Sequence, residues 1–200
     1  MAAAAAGGGL IWLWALAAAW AGPPPAESLP ALARGEVVVV QEPPRAPASV
    51  RIQAWVDVDA TPSATWKALV DHAAKERASR TLTGYEVYAH AASPGGGSRT
   101  CIRWRGSRLG VSFVFHHCYD ADAAGTRLSH ALDPERPSDL VRADGVFVLT
   151  PGLRPGSTRV HYEAETALAS MVPDVLASWL GGASAREFLE DLRSRAEGTP

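Results

Sequence analysis

The chain has 200 residues and a formal charge of −2, from 19 Lys and Arg against 21 Asp and Glu. This length suits one domain with a tail. A content of 47% hydrophobic and 20% charged residues excludes a disordered or collagen-like chain. The near-neutral balance gives no reason to expect a nucleic acid or an anionic membrane surface as a partner.

The N-terminal segment has no charged side chain from Met1 to Ala26. Leu10 to Ala21 is an apolar run as long as a signal-peptide core, and its last three residues form an A-x-A cleavage site. These features predict a signal peptide over residues 1–21 and an exported protein, periplasmic or extracellular. The segment has no Lys or Arg, so an uncleaved anchor over Ala2 to Ala21 and a later start of translation stay open. Any membrane contact would then be transient or through an uncleaved N-terminus.

The next segment, residues 22–49, is rich in proline. It holds seven of the fifteen prolines, which do not fit inside helices or central strands. We predict a linker here. Glu36 to Gln41 contains four consecutive valines and predicts one possible strand at a sheet edge.

Periodicity becomes readable at Val50. Val50 to Asp59 alternates, with Ile52 and Val56 on one face and Trp55 on the other, which predicts a strand. Thr61 and Pro62 suit the N-cap and first position of a helix. The charged, Ala-rich stretch from residue 71 to 80 predicts a second short helix or the frayed end of the first.

Six further strands, separated by turn signals rich in Gly and Pro, predict an antiparallel meander. They span residues 85–91, 100–105, 111–119, 126–132, 140–149 and 157–166. The chain then ends in an amphipathic helix over Val172 to Ala196. The fold class is therefore α+β, with a curved antiparallel sheet of about seven strands wrapped round the terminal helix over a cavity.

Three sequence motifs occur in the order typical of one superfamily. Val56 to Pro62, followed by Trp66 and Asp71, resembles a strand leading into a helix. Later come the two strand motifs of Gly145 to Pro151 and Ser157 to Tyr162. From Val50 to Glu197 the chain resembles the START/polyketide-cyclase superfamily (SRPBCC, the helix-grip fold), in particular its bacterial coenzyme Q-binding START-like subgroup.

The resemblance implies the helix-grip fold, but the superfamily includes lipid carriers, quinone binders, hormone receptors, cyclases and a ribosome-directed toxin, so fold alone gives little function. The chain also departs from the family pattern after Asp71, where it reads His72 to Arg77 in place of an aromatic residue and a proline-containing segment.

Cys101 and Cys118 are the only cysteines, and they lie on adjacent predicted strands. Their positions mirror each other about the turn between those strands, which makes a cross-strand disulfide geometrically possible. Export would favour the disulfide. Two buried free thiols are the alternative.

Histidines raise the possibility of a metal site. His116 and His117 are adjacent on a strand and point to opposite faces, so they do not readily share an ion. His117, His130 and His161, with Glu163, would suit zinc if they converged. Their spacing is not diagnostic, and we predict no metal site.

The sequence contains no nucleophile elbow, metalloprotease motif or phosphate loop. Acidic, basic and aromatic groups on the predicted strands suit acid–base work in a cavity, or alternatively face outward. These groups are Glu163, Glu165, His161, Tyr162 and Arg142, of which Arg142 and Asp144 share a face and suit an ion pair. Trp55, Trp104 and Trp179 suit either a pocket or the core.

Together these features predict a binding module for a lipid- or quinone-like small molecule, with no cofactor. The predicted cavity residues are Phe113, Phe115, His117, Tyr119, Tyr162, Leu176, Trp179 and Leu180. A cyclase or hydrolase that uses His117, Glu163 or Tyr162 is the alternative. A toxin-type interaction protein is a third candidate, although export separates it from ribosomes.

Overall fold

The computed structural model describes residues 22–45, 49–93, 95–108, 110–168 and 182–198. Its strands are β1 (Val38–Glu42), β2 (Ser49–Val58), β3 (Leu82–Ala92), β4 (Ser98–Arg108), β5 (Val111–Ala121), β6 (Arg127–Leu132), β7 (Leu140–Pro151) and β8 (Thr158–Leu168). Its helices are α1 (Leu29–Ala33), which follows a 3-10 turn at Ala26–Ser28, α2 (Pro62–Val70), α3 (His72–Ala78) and α4 (Ala183–Glu197).

The strands form one antiparallel sheet in the order β1-β2-β8-β7-β6-β5-β4-β3. Strands β3 to β8 follow one another as a meander, and β8 then pairs with β2 from the start of the domain. Ile52 pairs with Ala164 across that junction. The chain therefore returns to its first long strand, with β1 added at the outer edge.

Short polar caps set the two helices that follow β2. The Thr61 hydroxyl accepts a hydrogen bond from the Ala64 N–H at 3.3 Å, and Pro62 occupies the first turn. Asp71 ends α2 and caps α3, since its carboxylate accepts from the Ala74 N–H at 2.8 Å. The two helices consequently change direction at a single residue.

The hydrophobic core lies between the concave face of the sheet and helices α2 and α4. Alternate residues of β2 face it, and α4 contributes Ala185, Leu189 and Leu192 from one side of the helix. Arg186 on α4 donates to the Val37 carbonyl at 2.7 Å, and Arg193 donates to the Gly35 carbonyl. These bonds tie α4 to the segment leading into β1.

The predicted α+β helix-grip fold is confirmed. The described residues form eight strands against the roughly seven predicted, and the two short helices follow the first long strand as expected. The segment predicted as a linker also contains α1, which packs on β2 and buries Leu32 completely.

Two sequence predictions concern parts of the chain that are not described. The predicted signal peptide over residues 1–21 lies outside the described residues, as does the first half of the predicted terminal helix, which is described from Ala183. None of the described helices is long and apolar enough to cross a bilayer.

Candidate ligand cavity

A cavity of about 860 Å³ lies between the concave face of the sheet and helices α3 and α4. A volume of this size suits a drug-sized organic ligand. Aromatic and aliphatic side chains make up most of its wall. The inner wall includes Ile52, Trp104, Phe113, Phe115, His117, Tyr119, His130, Ala143, Phe147, Tyr162, Ala164 and Phe188.

Strand alternation builds one wall of the cavity. On β5 the odd-numbered residues Phe113, Phe115, His117 and Tyr119 all face inward, because residues two apart share a face of a sheet. The rings of Phe115 and His117 meet edge to face at 5.0 Å. β5 therefore presents a continuous aromatic stripe to whatever occupies the cavity.

The part of the wall formed by β7 and β8 is also aromatic. Phe147 of β7 and Tyr162 of β8 are paired in register and stack at 4.2 Å between ring centroids. Phe188 reaches them from α4, with its ring 5.3 Å from that of Phe147. These three rings link the sheet to the helix beside the cavity.

A chain of hydrogen bonds fixes the polar groups of β4 and β5. The Trp104 indole N–H donates to the Tyr119 hydroxyl at 3.2 Å, and His117 Nε2 lies 3.0 Å from the Ala143 carbonyl. Since a carbonyl only accepts, Nε2 carries the proton and Nδ1 of neutral His117 is an acceptor. The Tyr119 hydroxyl, 3.5 Å away, then donates to Nδ1.

Burial keeps these side chains uncharged. Loss of hydration lowers the pKa of His117 well below its ordinary value and raises the pKa of the Tyr119 and Tyr162 hydroxyls. Burial and, after it, the nearby Lys75 charge lower the pKa of His130 to about 3. The buried imidazoles and phenols therefore contribute hydrogen-bonding capacity without charge at neutral pH.

His130 leaves one polar atom unused. Its Nδ1 is buried with no hydrogen-bond partner among the described residues, and the side chain faces the cavity. Gly145, directly opposite on β7, makes room for the ring, because a Cβ there would lie 2.5 Å from His130 Nε2. A ligand with a polar group would satisfy this nitrogen.

Lys75 of α3 brings a cation to the cavity. Its Nζ lies 4.8 Å from the ring centroid of Phe188, 5.1 Å from that of Trp104 and 5.7 Å from that of Tyr119. Loss of hydration, reinforced by the Arg195 charge, lowers the Lys75 pKa to about 8. The ammonium thus sits among aromatic faces that attract it more weakly than water does.

The structure places Phe113, Phe115, His117, Tyr119 and Tyr162 on the cavity wall, together with Trp104. The other three predicted cavity residues, Leu176, Trp179 and Leu180, lie outside the described residues. Trp55 does not reach the cavity. It is buried on the outer face of the sheet, where its ring stacks on His161 at 4.9 Å.

Of the two alternatives for His161, Glu163 and Glu165, the structure agrees with the outward-facing one and not with a place beside Tyr162 in the cavity. All three point to the outer face because they alternate with Tyr162 and Ala164, which line the cavity. Glu163 is held by Arg51 at 2.7 Å and Arg45 at 3.2 Å. Arg142 pairs with Asp144 at 2.7 Å, as its position predicts.

The hypothetical zinc set is also not assembled. His117 and His130 face the cavity, with ring centroids 5.0 Å apart, whereas His161 and Glu163 lie on the other side of the sheet. The His116 ring meets the Pro137 carbonyl at 2.8 Å. Within the described ranges no group of three or more His, Cys, Asp and Glu side chains is arranged to hold a metal ion.

The structure contains the disulfide between Cys101 and Cys118, which are paired in register on β4 and β5. Both side chains are buried and point away from the cavity, since their neighbours Ile102 and Tyr119 belong to the inner core. A buried disulfide is consistent with an oxidising compartment.

Sequence reasoning missed Lys75, Phe147 and Phe188 as cavity residues. One signal for Lys75 was available. The chain has only two lysines, Lys67 and Lys75, among its 19 basic residues. An ammonium group is more easily shifted by burial than a guanidinium, so a rare lysine in an arginine-rich chain marks a position to inspect.

No family model matches the sequence, and no curated protein matches it. Solved structures do. A START superfamily protein from Mycobacterium smegmatis aligns with a TM-score of 0.60 and 18% identity over 75% of this chain and 99% of that one. A STAR-related lipid transfer protein from Xanthomonas axonopodis aligns with a TM-score of 0.60 and 18% identity, over 80% of this chain and 93% of that one.

A third match is the Zhui aromatase/cyclase from Streptomyces sp. R1128, with a TM-score of 0.50 and 16% identity over 76% of this chain and 88% of that one. At these identities the likeness concerns the fold. The chain has the START-like helix-grip fold.

Proposed function

We propose that this domain binds a hydrophobic small molecule in the cavity and carries it without chemical change. The observation that supports this most is the cavity itself, about 860 Å³ of mostly aromatic and aliphatic wall in a fold whose sheet encloses one helix. The names of two similar structures, a lipid transfer protein and an aromatase/cyclase, are consistent with a hydrophobic ligand.

The residues considered for the cyclase or hydrolase alternative do not suit acid–base catalysis. A general acid or base works best with a pKa near the ambient pH. Burial takes His117 and His130 below that range and the two cavity tyrosines above it. Glu163, the carboxylate considered for the cyclase or hydrolase alternative, is engaged by arginines on the outer face.

A cavity-filling variant tests the proposal. Ala164 is buried and lines the cavity, so Ala164→Phe places a ring in the ligand volume. We expect phenylnaphthylamine, an uncharged fluorescent probe, to lose at least about tenfold in affinity, or about 1.4 kcal/mol. Fluorescence titration measures the dissociation constant, and circular dichroism checks that the variant folds.

Ala131→Phe is the matched control. Ala131 is exposed on β6 and paired with Cys118, whose side chain points away from the cavity. The same substitution there leaves the volume unchanged, so the probe affinity stays that of the parent. Equal losses in both variants, or no saturable binding to the parent, would contradict a ligand cavity.

We further infer that the domain works after export. The charge-free N-terminal segment and the buried disulfide support this location. N-terminal sequencing of the protein from the organism that encodes it is expected to read from Gly22. A soluble protein that begins at Met1 would contradict export.

A further inference from the structure

Lys75 brings a positive charge to the wall of the cavity, and among the described residues that charge has no acidic partner. Its ammonium makes no hydrogen bond or ion pair with any residue in the described ranges. Three aromatic rings surround it instead. Cation–π attraction offsets only part of the lost hydration, so an ammonium held in such a place is expected to take an anion.

The charged groups facing Lys75 do not supply that anion. Asp191 on α4 is already paired with Arg195 at 2.8 Å. The Arg195 charge lowers the Lys75 pKa by more than the Asp191 charge raises it. Asp71 precedes α3, the helix that contains Lys75, and its carboxylate caps that helix by accepting from the Ala74 N–H. Other acids along the lining, Asp139, Glu187 and Glu190, are exposed to solvent, where water and salt screen them.

Uncharged polar groups near the cation do not replace an anion either. The Tyr119 hydroxyl donates its hydrogen bond to His117 Nδ1, and both imidazoles of the wall are neutral at physiological pH. His130 offers one unused ring nitrogen. Among the described residues the wall therefore combines the Lys75 ammonium, which has no acidic partner, with one unmatched hydrogen-bonding atom, in a cavity whose lining is mostly but not wholly apolar.

We propose that the ligand carries a single anionic group, such as a carboxylate or sulfonate on an apolar body, and that this group pairs with the Lys75 ammonium. The inference rests on the proposed function, because it names the chemical class of ligand for the same cavity. The apolar body lies against the aromatic stripe of β5 and the Phe147–Tyr162 stack. The anionic group lies toward α3.

Two probes with the same ring skeleton test it. Anilinonaphthalene sulfonate carries the anion, and phenylnaphthylamine lacks it. In Lys75→Met, which keeps side-chain length without charge, we expect the sulfonate to lose at least about tenfold in affinity and the uncharged probe to change less than about twofold. Lys67→Met is the matched control, because Lys67 is exposed on α2 and outside the cavity.

The outcomes separate the two proposals. Suppose that the uncharged probe binds the parent and that Lys75→Met weakens the binding of both probes equally or of neither. The proposed anion pairing is then wrong, and the proposed ligand cavity is still supported. If neither probe binds the parent, the ligand cavity fails and the pairing with it. Unchanged melting temperatures show that a loss of affinity comes from charge and not from unfolding.

A second readout follows the lysine directly. With only two lysines, reductive carbon-13 methylation gives two resolvable side-chain signals, and their titration reports each pKa. Saturation with the sulfonate is expected to raise the Lys75 pKa from about 8 towards its ordinary value and to leave Lys67 unchanged. Asp174→Asn, in the sequence before α4, should not move the ligand-free Lys75 pKa. A drop in that pKa would identify an internal counterion and overturn the proposal.

Discussion

The two faces of the sheet differ in how their charged groups are paired. On the outer face, buried charges are matched within the chain. Asp57 is bonded by Arg159 at 2.7 and 2.9 Å, and Glu163 by Arg51 at 2.7 Å. On the inner face, Lys75 and one nitrogen of His130 lack polar partners among the described residues. Matched charges serve the fold, whereas unmatched groups around a cavity point to a ligand.

The largest effect is expected when a buried ion pair on the outer face loses one of its two charges. Glu163→Ala leaves the Arg51 guanidinium, itself 17% exposed, buried without its main partner. Breaking a buried ion pair in this way costs about 3–5 kcal/mol of unfolding free energy. Urea denaturation measures the loss, and probe affinity of the folded fraction should not change.

The control for that experiment is Glu86→Ala, which removes a carboxylate 60% exposed and 3.8 Å from Arg103. A screened surface pair contributes at most about 1 kcal/mol. Equal stability losses in the two variants would show that burial of Glu163 does not matter.

The disulfide is the second largest contribution expected on the outer face. Cys101 and Cys118 are 17 residues apart, and cross-linking a loop of that length stabilises a fold by about 3 kcal/mol. The double variant Cys101→Ser, Cys118→Ser should lose that amount and become insensitive to reductant, with probe affinity unchanged. A large loss of affinity would contradict the separation of the two faces.

The inner face predicts a smaller, pH-dependent effect. His130 has a pKa of about 3 in the fold and 6.5 as its ordinary value. Between these two pH values the unfolded chain binds more protons than the folded one. The contribution of neutral His130 to the free energy of unfolding is therefore complete above pH 6.5 and decreases as the pH falls towards 3. From pH 7 to pH 5 the loss from His130 is about 2 kcal/mol.

Chemical denaturation at several pH values measures this slope for the parent and for His130→Gln. The glutamine side chain does not titrate, so its slope should be shallower by about one proton. Identical slopes would show that His130 is already protonated or solvated in the fold.

Strand alternation carried most of the fold prediction. The inward residues of β2 and β5 follow from it, whereas the placement of Cys101 beside Cys118 follows from their mirror positions about the turn between β4 and β5. The same rule opposes the grouping of His161 and Glu163 with Tyr162, because neighbours on a strand face opposite ways. Glu163 and Glu165 were candidates for a catalytic cavity because nothing close to them in sequence reveals the arginines that pair with Glu163 on the outer face.

The site was harder to predict because it depends on how separate elements pack. Lys75 faces the cavity because of the way the seven-residue helix α3 is oriented, and local sequence periodicity does not specify that orientation. Phe188 reaches the cavity because α4 packs across the sheet. Arg45 lies 118 residues from Glu163, a separation that no local pattern connects.

Native mass spectrometry of the protein purified from the organism that encodes it tests the central contrast most directly. We expect a mass excess that collisional activation releases as one intact apolar molecule with an anionic group, and a reduced excess in Lys75→Met. An intact uncharged ligand would remove the pairing and keep the cavity. A ligand-free protein that nevertheless converts an added hydrophobic substrate would contradict carriage.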